Sequence, residues 1–246
     1  MNRHVLLAVA AAVAALAAVV VGVIALQPRP LVGAVAPQLS SAAQAGPPPL
    51  AATPGLGYTG LVDPDWAQRT AEATGIPLLA VLAYAGGAIR AAEVYPDCGI
   101  GWNTLAGIGF VESDHGSFGG SSIGPDYRVS PPIYGVVLDG GDTENIPDSD
   151  GGSVDGISDY DRAVGPMQLI PQTWASWPSD GNGDGIGDPQ NIADAAIAAA
   201  NHMCRASGGM STPDGWRAGI AAYNSGDDYL QKVVTAAQQY YDASAD

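Results

Sequence analysis

Lysine is almost absent from this chain. Among nine basic residues set against 25 acidic ones, only Lys232 is a lysine, and the formal net charge is -16. So acidic a surface repels nucleic acid and anionic lipid head groups, which excludes both as partners. Histidine is scarce as well: His4, His115 and His202 are scattered along the sequence. Glu112 and His115 have the Glu-x-x-His spacing of half a di-iron site, but such a site needs a second copy and further glutamates. No His-Glu-x-x-His string occurs, which sets aside a zinc protease. The chemistry is therefore expected to need no cofactor. No internal repeat is present, and the one strand pattern is the short Ile133–Leu138. A mainly α-helical domain with long irregular loops is expected, working as a monomer.

Charge is missing altogether from residues 5–26, which are nearly all Ala, Val and Leu. That run is long enough to span a bilayer and long for a signal-peptide core. Arg3 precedes it, so the positive-inside rule puts the N-terminus in the cytoplasm and the rest outside. Residues 1–26 read as a cytoplasmic tip and transmembrane anchor, with a cleaved signal peptide as the alternative. Residues 27–57 carry seven prolines among Ala, Gly, Ser and Gln and show no hydrophobic period. They read as a disordered linker, able to reach roughly 100 Å when extended. Residues 58–246 then form the folded domain. Every acidic residue follows residue 60, so the negative charge belongs to this domain. Cys98 and Cys204 have neither CxxC nor metal spacing. In an oxidising compartment such a pair reads as a disulfide; two buried thiols are the alternative.

Within the domain, Asp63-Pro64 starts a helix that runs to about Gly75, and Pro77 opens another. Residues 117–163 are rich in Gly, Ser, Pro and Asp and lack a helical period. A short helix follows from Pro171. Asn191 caps an alanine-rich helix to about Ala206, Thr212-Pro213 starts one ending near Tyr223-Asn224, and a last one runs from Asp227 to about Tyr241.

The central stretch is Trp102–Gly116. Leu105, Ile108 and Glu112 share one helical face, and Gly116 marks a stop, which puts Glu112 in the last turn. Burial and the negative end of the helix dipole both disfavour the anion there. Such a carboxyl suits a general acid near neutral pH; the alternative is a glutamate turned out to solvent. Asp114, two residues on, points to another side and makes a poor partner. Asp148, Asp150, Asp155, Asp159 and Asp161 remain as sources of a second carboxylate.

Glu112-Ser113 with Gly116, then Gly165-Pro166-Met167-Gln168, then Tyr223-Asn224 resemble, in order, the three signature segments of lytic murein transglycosylases. The likeness is greatest to the membrane-bound B-type family and its actinobacterial relatives, and covers about Trp66 to Tyr240. It implies a lysozyme-like helical fold that cleaves the β-1,4 bond between N-acetylmuramic acid and N-acetylglucosamine in peptidoglycan. Glu112 would be the acid and base, with Ser113, Gln168, Tyr223 and Asn224 binding substrate. The product would be a 1,6-anhydro sugar, made without water. A hydrolytic muramidase on the same fold and a non-catalytic peptidoglycan-binding module are the rival expectations.

Asp180, Asn182, Asp184, the Ile186 carbonyl and Asp188 occupy positions 1, 3, 5, 7 and 9 of an EF-hand-like loop, with Gly185 at the turn. Position 12 is Asn191 instead of a bidentate glutamate. Structural Ca²⁺ and a solvated Asp/Gly turn are the two readings.

Overall fold

A computed structural model describes residues 40–141 and 143–244 of the chain. The expected anchor and the first part of the expected linker lie outside the described residues. Among those described, no single helix is long and apolar enough to cross a membrane.

Seven α-helices carry the described domain: α1 (Pro64–Thr74), α2 (Leu78–Val94), α3 (Trp102–Ser113), α4 (Pro171–Ser176), α5 (Ile192–Ser207), α6 (Pro213–Tyr223) and α7 (Asp227–Ala243). Their starts follow the expected capping chemistry. Asp63 accepts the Trp66 N–H at 2.7 Å, Asn191 accepts from Ala193 at 2.9 Å, and Thr212 accepts from Gly215 at 3.2 Å. Between α3 and α4 lie two antiparallel ladders. One pairs β1 (Ser122–Ile123) with β2 (Val129–Ser130), and the other pairs β3 (Tyr134–Val137) with β4 (Arg162–Val164).

The centre of the core is α3, which packs against α7, α2 and α5. It is covered on every side from Trp102 through Gly109. Small residues allow this closeness. Gly109 lies directly under the Tyr84 phenol of α2, where a Cβ would meet the hydroxyl oxygen. The α2 and α5 helices also pack together, and both are rich in alanines with almost no exposure, among them Ala80, Ala83, Ala196 and Ala199. Alanine has the highest helix propensity, so the sequence gains close helix approach without losing helix stability.

Residues 40–57, expected to be linker, instead lie along the domain. Asn103 Nδ2 donates to the Ala43 and Ala237 carbonyls at 2.8 and 3.0 Å, and Asn103 Oδ1 accepts from Ala45 at 2.9 Å. The Gln44 amide oxygen accepts from Gly101 N–H and Thr104 Oγ1, which completes an α3 start that lacks a capping side chain of its own. Pro49 accepts from Asp63 N–H, and Ala51 donates to Leu61. The proline and alanine content hid this because the bonds come from single side chains, Gln44 in the strap and Asn103 in α3, and from backbone.

Cys98 and Cys204 form a disulfide, which ties the segment before α3 to α5 across 106 residues. Breaking it should cost about 4–5 kcal/mol in the chain-entropy model. The urea midpoint with and without reductant measures this; coincident curves would assign the bond no stabilising role. Asn103→Ala strands buried backbone groups on both the 43–45 strap and α7. It should cost about 1–3 kcal/mol by the same measurement, and strap residues should lose hydrogen-exchange protection first.

Candidate active site

The structure ends α3 abruptly. Asp114 and His115 both take left-handed backbone conformations, with φ of 50° and 57°, so the turn occurs two residues before Gly116. Glu112 consequently occupies the last helical turn at the wall of a cleft of about 640 Å³. Gln168, Tyr223 and Asn224 line the same cleft. Three segments separated by more than fifty residues each are thus brought together.

Two hydroxyl-to-carbonyl bonds hold them. Ser113 Oγ donates to the Pro166 carbonyl at 2.6 Å and accepts from Gly116 N–H at 2.8 Å. Tyr223 Oη donates to the Met167 carbonyl at 2.6 Å. The turn between these anchors is tight. Gly165 has φ of 77°, and a Cβ there would run into the Pro189 carbonyl oxygen. Gln168 itself has φ of 48°, a strained value for a residue with a side chain, and its Nε2 donates to Gly165 O at 2.8 Å. Ser113 is buried with its hydroxyl fully engaged, so it braces the turn and does not face the cleft. This revises the expectation that it touches substrate. Asn224 accepts from Gly226 N–H, while its amide nitrogen has no protein partner among the described residues.

Glu112 is mostly desolvated, and burial raises its pKa to about 7. The Tyr229 phenol, at the start of α7, donates to Glu112 Oε1 at 2.5 Å and pulls the value the other way. Burial and the neighbouring Glu112 charge drive the Tyr229 phenol well above its usual range, so it remains a donor. Tyr229 has no motif that would reveal it, since it meets Glu112 from 117 positions away. Glu144 and His202 also line the cleft and were not anticipated. His202 Nε2 lies 3.1 Å from Ala222 O, and its ring meets the Tyr223 ring edge-on.

The aspartates of 148–161 do not line the cleft. They fold their own loop. Asp155 accepts from Ile157 and Arg162 N–H, Asp161 from Ser149, Asp150 from Gly152 and Val154, and Asp148 from Gly151 and Gly152. His115 does not line the cleft either. Its two ring nitrogens lie 3.0 and 2.9 Å from the Tyr84 and Tyr240 hydroxyls, and burial lowers its pKa to about 4, so it sits neutral between two phenols. The string Gly120-Ser121-Ser122-Ile123-Gly124 has the letters of a nucleophile elbow, yet it enters the two-residue β1 and no helix follows it.

In the 180–188 loop, Asp180 accepts from the N–H groups of Gly183, Asp184 and Gly185, and Asp184 from Ile186. Asn182 donates to Asp184, while Asp188 is turned to Arg128, 2.8 Å from its Nε. Among the described residues the carboxylates that converge within 4.8 Å are Asp148, Asp150 and Asp161, not those of this loop. In this structure the loop's carboxylates close an Asx turn through backbone N–H groups, and Asp188 pairs with Arg128.

No family model matches the chain, and comparisons with curated proteins and with solved structures give no match either.

Replacing Tyr229 by Phe removes the bond that favours the Glu112 anion, so the Glu112 pKa should rise above about 7. The alkaline limb of any Glu112-dependent activity should move to higher pH in Tyr229→Phe, with a several-fold lower rate. An unmoved limb would show that Tyr229 only fills space.

Proposed function

We propose that this chain is a peptidoglycan lytic transglycosylase that cleaves the N-acetylmuramic acid–N-acetylglucosamine β-1,4 bond. The observation that carries the reading is the convergence of a carboxyl with a pKa near 7 and the Gln168, Tyr223 and Asn224 side chains in one cleft. Amides and aromatic rings are suited to sugar hydroxyls, acetamido groups and sugar faces. The ordered motif resemblance supplies the substrate class.

In this mechanism the neutral Glu112 gives its proton to the glycosidic oxygen as the C1–O bond breaks. Tyr229 holds Oε1, leaving Oε2 for the transferred proton. The resulting carboxylate then takes the proton of the muramic 6-hydroxyl, whose oxygen bonds to C1. Glu112 ends as it began, and the sugar closes as a 1,6-anhydro ring. One group therefore works as acid and base, and a pKa near the ambient pH suits both halves.

A helical lysozyme-like domain tethered outside the membrane, facing the wall, fits this substrate. The disulfide supports an oxidising compartment, and the charge-free run of residues 5–26 supports an anchor. Structural Ca²⁺ at 180–188 would draw on Asp180, Asn182, Asp184 and the Ile186 carbonyl, with Asp188 shared with Arg128. The hydrolytic reading has one observation in its favour: Glu144 stands in the same cleft as Glu112 and offers a carboxylate for activating water.

Digestion of purified sacculi in H₂¹⁸O decides between them. The transglycosylase gives anhydro ends free of label, whereas a hydrolase places ¹⁸O at C1. Glu112→Gln should lower the rate by at least about 10²–10⁴-fold, and the wild-type rate should fall as pH rises through about 7. The same raised pKa makes ionised Glu112 a burden on the fold. Its contribution is favourable below the unfolded value and is lost as pH rises through about 7, so Glu112→Gln should melt higher than wild type in alkaline buffer.

A further inference from the structure

A second groove, of about 650 Å³, flanks the end of α3. It is formed by Phe110 and Asp114 of that last turn and by one face of α7, including Asp228, Gln231, Lys232 and Gln239. Phe110 lies two residues before Glu112, about 200° around the helix, and Asp114 follows at the left-handed cap, so the groove and the cleft take different flanks of the helix end. On α7 the division repeats: Tyr229 reaches Glu112, while its neighbour Asp228 lines the groove.

Two features distinguish this groove from ordinary surface. Phe110 is one of two phenylalanines in the chain and stands 46% exposed, directly after the stretch of α3 buried from Trp102 through Gly109. It is nonetheless fixed, edge-on to Tyr240 at 6.5 Å and tilted on His115 at 5.8 Å. Lys232, the sole lysine, makes no ion pair among the described residues, although Asp228 lies one turn before it and Asp114 lines the same groove. The groove therefore offers a rigid apolar platform with an ammonium, two carboxylates and two amides around it.

We propose that this groove binds the peptide branch of the wall polymer, a chain carrying both carboxylate and ammonium groups, while the glycan occupies the Glu112 cleft. In a peptide-bearing strand the muramic lactyl carboxyl is tied up as an amide, so the glycan backbone itself offers Lys232 no charge to pair with. A short peptide has amide edges for Gln231 and Gln239, an aliphatic surface for Phe110, and charges of both signs. The inference rests on the peptidoglycan reading for its source of peptide, and on the groove alone for its chemistry.

The test compares wild type with Lys232→Met, which keeps the side-chain length and removes the charge. Substrates are glycan strands with their peptides and the same strands stripped by an amidase, each freed lactyl carboxyl then capped as a methylamide so that the control gains no charge. Lys232→Met should lose about 2- to 5-fold on the peptide-bearing strands, the worth of one exposed charge contact, and nothing on the stripped ones. Equal losses on both, or none on either, overturn the proposal. Calorimetric titration of the amidase-released peptides then separates the two readings. Binding weakened by Lys232→Met and unchanged by Glu112→Gln supports the groove even if no glycan is cleaved. Absence of peptide binding to wild type overturns it even if glycan is cleaved.

Discussion

A buried helix that must stop beside a carboxyl group governs this domain. From Trp102 to Gly109, α3 has protein on all sides, so the chain cannot continue in that direction without leaving the core. The consecutive left-handed residues Asp114 and His115 turn it sharply. His115 then locks the turn from behind by sitting between the Tyr84 and Tyr240 phenols. Each nitrogen of a neutral imidazole has a partner there: one donates and the other accepts. Protonating the ring would turn both nitrogens into donors and bury a charge, which agrees with its depressed pKa. The position of Glu112 at the lip of the cleft follows from these constraints on residues that never touch it.

The opposite wall is held by carbonyl oxygens in place of side-chain pairs. Ser113 and Tyr223, from two different helices, donate to the consecutive carbonyls of Pro166 and Met167. A turn pinned at adjacent carbonyls has little freedom, and the next residue, Gln168, is forced to positive φ. Such a constraint is worth its strain if Gln168 must present its amide at a fixed place relative to Glu112. Motif residues that look like ligand contacts thereby divide into two kinds. Gln168 and Asn224 face the cleft, while Ser113 fixes the backbone that aims them.

How much of this was legible depended on the range of the interaction. Caps such as Asp63, Asn191 and Thr212 act over two or three residues, and the helix starts are where their spacing put them. The helical face of Leu105, Ile108 and Glu112 pointed to a desolvated carboxyl, although the reason differs in part. The helix is buried all round, so period alone could not choose its inward side. What meets Glu112 is Tyr229 from α7, a contact that no local pattern encodes. Gly116 was a sound stop signal that Asp114 pre-empted, because an Asp tolerates the left-handed region. The 40–57 strap was read as linker because its order comes from Asn103 and Gln44 bonds made across some sixty positions.

The acidity of the chain has a structural explanation in these loops. Most of the aspartates between residues 148 and 194 accept backbone N–H groups from residues a few positions away, closing turns in segments too rich in glycine to hold a shape otherwise. Asp194 illustrates the strength of that demand. It is buried at the first turn of α5 and accepts from Gly181 at 2.6 Å and Asp188 at 3.0 Å, fastening both ends of one loop to the helix. Burial still outweighs those two bonds and raises its pKa to about 7. Asp150, only half-buried and bonded to Gly152, Val154 and Ser153, moves the other way, to below its usual value. The sign of the shift is thus set by depth, while the task of the carboxylate is the same at both sites. A loop built this way borrows rigidity from its charges, and so the net charge of the domain reflects the long loops its cleft requires more than any partner it attracts.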